Sequence, residues 1–215
     1  MNNENKKESE YIFVEKYVYD PFLRILHWVN ALSIFSLMLT IWLKNFLKPY
    51  DNWKEILYRY HILIGYVLII GVILRIIWGF IGPEHALFKN MINWKAYLKL
   101  LSTRKYDASE NWGHDKYAGF SYICLFILML YQAYSGLYLA AQKYEMSFFH
   151  YFVEYSAIKT PFAKLLSKIH EVVFYLTMVF TAVHIIMLRI HEIKAKSPLT
   201  QAMFNGIQYR KKKKL

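Results

Sequence analysis

A single cysteine, Cys124, stands in 215 residues. One thiol excludes an intramolecular disulfide, a cysteine-ligated iron–sulfur cluster and covalent haem attachment through C-x-x-C-H. Charge is sparse as well. Asp, Glu, Lys and Arg make up 20% of the chain and hydrophobic residues 56%, against roughly 25% and 45–50% in soluble domains. Acids are scarcer than bases, 15 against 27, for a net charge of +12. There is no internal repeat at a fixed period and no low-complexity segment beyond a lysine tail. No charged n-region, short apolar h-region and small-residue cleavage site opens the chain, so the N-terminus is expected to be retained.

The apolar residues come in blocks, the mark of an integral membrane protein. Residues 1–20 are polar and then aromatic, a soluble tail approaching a membrane surface. Pro21 sits at a helix start with Asp20 as its cap. Spans are predicted over 25–43, 60–81, 118–141 and 169–190. Trp53, Tyr58 and Tyr60 between the first two are residues of the kind that anchor at a membrane interface. Gly82-Pro83 ends the second span, and Ile92–Leu101 reads as a short amphipathic surface helix. The connection 142–167 is rich in aromatics and contains Pro161, and the tail ends in RKKKKL, Arg210 to Leu215.

Four spans put both termini on one side. Lys and Arg number four up to Arg24, six in 83–117 and eight from Arg189 onward, against four in each of the other two connections. By the positive-inside rule, 18 against eight places both termini in the cytoplasm. The expectation is one membrane domain over 1–215: an all-α four-helix bundle with cytoplasmic tails 1–20 and 192–215. The +12 charge is then topology and contact with anionic lipid, not nucleic-acid binding.

The last span carries His170 and His184. Fourteen helical positions amount to 1400°, so the two rings lie within about 40° of one face and roughly 21 Å apart along the axis. One histidine sits near each membrane surface. His61, at the start of the second span, matches the outer depth of His170; His27, in the first turns of the first span, matches His184 on the inner side. An imidazole in hydrocarbon is costly unless satisfied. One alone is as well read as a helix–helix hydrogen bond, but four in two depth-matched pairs point to two bis-imidazole, low-spin haems b in series. A single zinc ion would need its ligands to converge on one atom.

Other residues leave two readings open. Gly65, Gly71, Gly79, Gly119 and Gly136 admit either a macrocycle or a close helix. Arg75 and Arg24 suit haem propionates, although Arg24 also suits a lipid phosphate. His114, in NWGHDKYAGF before the third span, suits either a quinone site or the surface. His85, His150 and His191 read as surface residues.

Several segments carry a wider resemblance: RILHW (Arg24–Trp28), RYHILIGYVLIIGVILRIIWGFIGPEHALF (Arg59–Phe88), GHDKYAGFSYICLFILMLYQAYSGLYL (Gly113–Leu139), the spacing from His170 to His184, and MFNG (Met203–Gly206). Over nearly its whole length the chain resembles the b-type cytochrome subunit of membrane-bound nickel–iron uptake hydrogenases, within the four-helix di-haem cytochrome b group. His27, His61, His170 and His184 fall on that family's axial-ligand positions. Ser167 stands where some relatives have a second histidine.

The resemblance implies a multi-pass protein of the bacterial cytoplasmic membrane. It would take electrons from the iron–sulfur small subunit of a periplasmic hydrogenase, whose large subunit is the further partner. It would deliver them to menaquinone or ubiquinone near the inner face, where His114 gains weight. The hydrogen chemistry would reside in the partners. The cytochrome b subunit of a formate dehydrogenase or thiosulfate reductase is the alternative within the fold; a haem-free anchor or transporter is the alternative outside it.

Overall fold

The computed structural model describes residues 11–47, 51–91, 94–103, 112–113, 118–153, 155–156 and 160–213. A strand β1 (Tyr11–Tyr17) precedes α1 (Pro21–Phe46) and α2 (Asp51–Ile81). Two short helices follow, α3 (Phe88–Met91) and α4 (Trp94–Thr103), and then α5 (Ala118–Tyr144). A 3₁₀ turn over Phe148–Tyr151 leads to α6 (Pro161–Ala195), α7 (Ala202–Asn205) and β2 (Ile207–Lys213). Helices α1, α2, α5 and α6 are long and apolar enough to cross a membrane, which makes this a multi-pass membrane protein. Helices are what such segments must form, because hydrocarbon offers backbone N–H and C=O groups no partner but each other.

Each long helix outruns the apolar stretch that announces it. At 35 residues, α6 is roughly 52 Å long against a hydrocarbon core of about 30 Å. The ends are set by caps, not by the edge of the lipid. Asp20 accepts from Leu23 N at 3.0 Å, with Pro21 beginning α1. Thr160 accepts from Ala163 N at 3.2 Å, with Pro161 beginning α6 eight residues before the predicted span. The surface helix expected at Ile92–Leu101 is observed at Trp94–Thr103 and exposes Trp94, Leu98 and Leu101.

Lipid tails give helices no hydrophobic reason to associate, so small residues and polar contacts set the packing. The pairs α1–α2, α2–α5 and α5–α6 are in close contact, whereas α6 does not close tightly on α1 or α2. A Cβ on Gly71 would strike the Asn30 side chain, and one on Gly79 the Phe88 ring. Ser33, Ser135, Ala140, Ala141 and Ala163 are buried. Tyr66 OH donates to the Met146 carbonyl at 2.7 Å, tying α2 to the end of α5.

The chain is not purely helical. The expected tails pair as an antiparallel ribbon, from Tyr11 opposite Lys213 to Tyr17 opposite Ile207. A cluster of basic residues reads as a solvated tail, and only a partner strand almost 200 residues away makes Ile207–Lys213 a strand. The ribbon brings the segments before α1 and after α6 together at one end of the bundle, where Val18, Tyr19, Leu23, Ala86 and Ala202 form a small core with Trp78, Trp112 and Met203. Burial there pushes the Tyr19 phenol above its usual range, so it stays neutral.

The turn into the ribbon depends on Gly206, at φ +84°, whose missing side chain makes room for the Tyr17 ring and the Tyr19 carbonyl. Gly206→Val is expected to cost about 1–3 kcal/mol and to free the C-terminal segment. Thermal unfolding in detergent and limited proteolysis after Lys196 check both effects; an unchanged pattern would refute the clasp.

Candidate functional site

Four histidines lie on three of the long helices, and the structure gives each a setting. His61 is ten residues into α2 and His170 nine residues into α6, at the end of the bundle away from the ribbon. His61 Nδ1 lies 2.8 Å from Thr40 Oγ1 on α1. The Thr40 hydroxyl has one proton, and it is directed to the Leu37 carbonyl at 2.7 Å. Thr40 can therefore only accept from the ring, so Nδ1 carries the imidazole proton and Nε2 carries the lone pair.

His170 has the same arrangement. Its Nδ1 is 2.7 Å from Ser135 Oγ on α5, and that hydroxyl donates to the Tyr131 carbonyl at 2.8 Å. Gly136 has no side chain where the His170 ring lies, with Cε1 3.5 Å from the position a Cβ would take. Gln132 Nε2 donates to the His170 carbonyl at 3.0 Å. Two helices thus fix one tautomer at each ring. A metal-bound histidine needs that tautomer, with its other nitrogen held by an acceptor.

Toward the ribbon end lie His27, in the first turns of α1, and His184, in the C-terminal part of α6. The His184 ring stacks parallel to Phe180, with centroids 6.4 Å apart, and meets Tyr122 edge-on. His27 lies between Arg24 and Trp28, both held by the C-terminal segment. Arg24 Nη1 donates to the Phe204 carbonyl, and Trp28 Nε1 donates to the Met203 carbonyl at 3.0 Å. The Trp28 ring packs on Phe204 with centroids 4.7 Å apart. The motifs RILHW and MFNG are therefore one unit in space.

The buried Arg75 sends Nη2 to the Ala86 carbonyl at 3.2 Å and lies over the rings of Phe88 and Phe126. Among the described residues, Arg75 Nη1 and Arg24 Nε are buried without a hydrogen-bond partner. His85 is half-buried against Gly113, and burial pulls its pKa below the usual histidine range. His150, on the far face, is exposed and held at Nδ1 by the Ser147 carbonyl at 2.7 Å. His191 is half-buried near the end of α6. His114 lies outside the described residues.

A family model described as prokaryotic cytochrome b561 matches residues 18–206. The chain belongs to that family. Similar curated proteins carry the name probable Ni/Fe-hydrogenase B-type cytochrome subunit. That of Rhizobium leguminosarum bv. viciae is 25% identical over 88% of this chain and 87% of its own length. That of Azotobacter vinelandii is 34% identical over 52% and 53% respectively. That of Bradyrhizobium diazoefficiens is 39% identical over 33% and 31%. No solved structure gives a significant match.

The matched segment of this cytochrome begins and ends at residues that meet. Val18 N donates to the Gly206 carbonyl at 2.7 Å, and the ribbon lies wholly outside the match. The family implies haem b, and the residues fit it. No group of three or more His, Cys, Asp or Glu able to hold a bare metal ion occurs among the described residues. The imidazoles instead stand at two separate levels. Next to His61, a Cβ on Gly65 would meet nothing within 4 Å, unlike Gly71 and Gly79, whose space is filled by side chains. The orphaned donors of Arg24 and Arg75 suit carboxylates at the ribbon end.

Thr40 and Ser135 are the residues that sequence reasoning passed over; the available signal was a hydroxyl in an apolar span at the depth of a histidine. Thr40→Val or Ser135→Ala is expected to weaken haem retention about 10–100-fold, while Thr40→Ser keeps it. Haem content of the purified protein by pyridine haemochrome checks this, and full occupancy in both variants would show the hydroxyls to be bystanders.

Proposed function

We propose that this cytochrome is a di-haem b subunit that passes electrons from a nickel–iron hydrogenase on the outer face of a bacterial cytoplasmic membrane to the quinone pool. The observation that carries the reading is α6, one unbroken helix presenting His170 and His184 fourteen residues apart. That separation, roughly 21 Å, is what two centres near opposite surfaces need. His61 and His170 hold the outer haem; His27 and His184 hold the inner one. Haem b, held by these histidines, would supply one-electron redox chemistry.

The chain's own residues do the rest. Thr40 and Ser135 keep the outer rings in the ligating tautomer, and Phe180 and Tyr122 hold the His184 ring from two sides. Arg24 Nε and Arg75 Nη1 balance propionate charge at the inner level. His114 takes part in binding menaquinone or ubiquinone. Residues 1–215 act as one membrane domain with both termini cytoplasmic, and the basic C-terminus contacts anionic lipid. The names that the relatives carry support a nickel–iron hydrogenase as the partner; its small and large subunits are proposed on that basis, and the excess of Lys and Arg at the ribbon end supports the orientation.

A reduced-minus-oxidised spectrum of the purified protein should show a b-type α-band with two haems per chain. His61→Ala or His170→Ala should leave one haem and abolish electron entry from the partner. Retention of both haems in His61→Ala would refute the pairing, and absence of any α-band would remove the cytochrome reading. In membranes that contain the partner, hydrogen should drive quinone reduction; formate-driven reduction instead would assign a formate dehydrogenase. His114→Ala should keep both haems and slow quinone reduction severalfold, while hydrogen-dependent reduction of benzyl viologen continues. Loss of haem in that variant would make the residue structural.

A further inference from the structure

The end of the bundle away from the ribbon carries a cation cluster that none of these roles uses. Lys44, at the end of α1, donates to Tyr58 OH at 3.3 Å and stands 5.2 Å from the centre of the Tyr58 ring. Lys143, at the end of α5, stands 5.0 Å from the centre of the same ring and 5.0 Å from that of Tyr144. Lys44 and Tyr58 line a cleft of about 450 Å³ with Asn45 and Lys54. Among the described residues neither Lys44 nor Lys143 has a carboxylate partner. Two ammonium groups on one ring lie within about 10 Å of each other and repel. Such an arrangement is stable when an anion joins it.

The anion's direction follows from helix geometry. Lys44 is one turn along α1 from Thr40, the residue that holds His61. Tyr58 is one turn before His61 on α2, and Tyr58, His61 and Gly65 share one stripe of that helix. Gly65 is the glycine with open space beside it. Lys143 is two turns beyond Ser135, which holds His170. Helices α1, α2 and α5 thus each bring a cation or a phenol to the mouth of the outer haem level. This is also the side where the positive-inside rule disfavours lysine, so these cations need a local reason.

We propose that Lys44, Lys143 and the Tyr58 hydroxyl hold the propionate carboxylates of the outer haem. The outer level would then have its own counter-charges, separate from Arg24 and Arg75 at the inner level. Cations beside a carboxylated macrocycle favour the reduced state, which carries one more negative charge, so their removal makes reduction harder. The inference rests on His61 and His170 being the outer ligands.

The test is a redox titration of the α-band of the purified full-length cytochrome, in Lys44→Met, Lys143→Met and the double variant, with Lys164→Met as a control at the same end. The expected result is that one of two one-electron components loses at least tenfold in its reduction equilibrium, a fall of 59 mV, while the other stays fixed. The component that moves should be the one missing in His61→Ala. Lys44→Arg, which keeps the charge, should restore the equilibrium. Redox infrared difference spectra with haem ¹³C-labelled at the propionate carboxyls should show those bands shifted in Lys44→Arg, a variant that keeps the charge and the fold.

The proposal is overturned if the double variant leaves both components in place, if the inner component is the one that moves, or if the labelled bands are identical in Lys44→Arg. Unmoved potentials with a loss of co-purifying anionic phospholipid would overturn it in favour of a lipid phosphate. His61→Ala retaining both haems would overturn the ligand assignment itself, a result distinct from failure of the lysines alone.

Discussion

A neutral imidazole inside a bilayer keeps one N–H and one lone pair, and no water is there to satisfy either. At His61 and His170 the N–H goes to a hydroxyl on a neighbouring helix, and that hydroxyl is itself committed to a backbone carbonyl one turn back. Much of the bundle's design follows from these two bridges. They join α1 to α2 and α5 to α6, and they leave each ring with only its lone pair to offer. A zinc site would have gathered such rings at one point. This chain keeps them at two levels, an arrangement suited to flat cofactors that each need a ligand above and below.

The same economy shapes the packing. Helix α6 rests against α5 but does not close on α1 or α2, the helices that bear His27 and His61. In lipid, close approach must be earned by small residues and polar contacts, and here they are placed selectively. Gly71 meets Asn30, Gly79 meets Phe88 and Gly136 meets the His170 ring, whereas Gly65 meets nothing. Arg75 shows the other side of the rule: a buried cation takes a carbonyl and two aromatic faces, and still keeps one donor unused.

At the ribbon end the structure turns two tails into a fastening. The segment after α6 is anchored by Glu192, whose carboxylate accepts from Leu199 N, Thr200 N and the Thr200 hydroxyl. It then crosses to the first turns of α1 and grips Arg24 and Trp28 on either side of His27. The turn of α1 that carries His27 is therefore held by residues more than 170 positions away in sequence. The family match ends at Gly206, where this grip ends, and the ribbon outside it pairs the segment before the match with the segment after it.

Four helices long and apolar enough to cross a membrane, and a single helix carrying His170 and His184 fourteen residues apart, were legible in the amino-acid sequence. Apolar runs of about 20 residues can cross hydrocarbon only as helices, and on a helix depth and angle are linear in residue number. The caps at Asp20 and Thr160 were legible too, although only Asp20 was read; Thr160-Pro161 carries the same local signal. What lay beyond the sequence was everything that joins one helix to another. Thr40 and Ser135 stand 21 and 35 residues from the histidines they hold, and the ribbon pairs segments almost 200 residues apart. Helical periodicity is a property of one turn, so it says which residues share a face. Which neighbour that face meets, and which glycine stays open, is decided by how whole helices rotate and pack, and only the tertiary structure contains that.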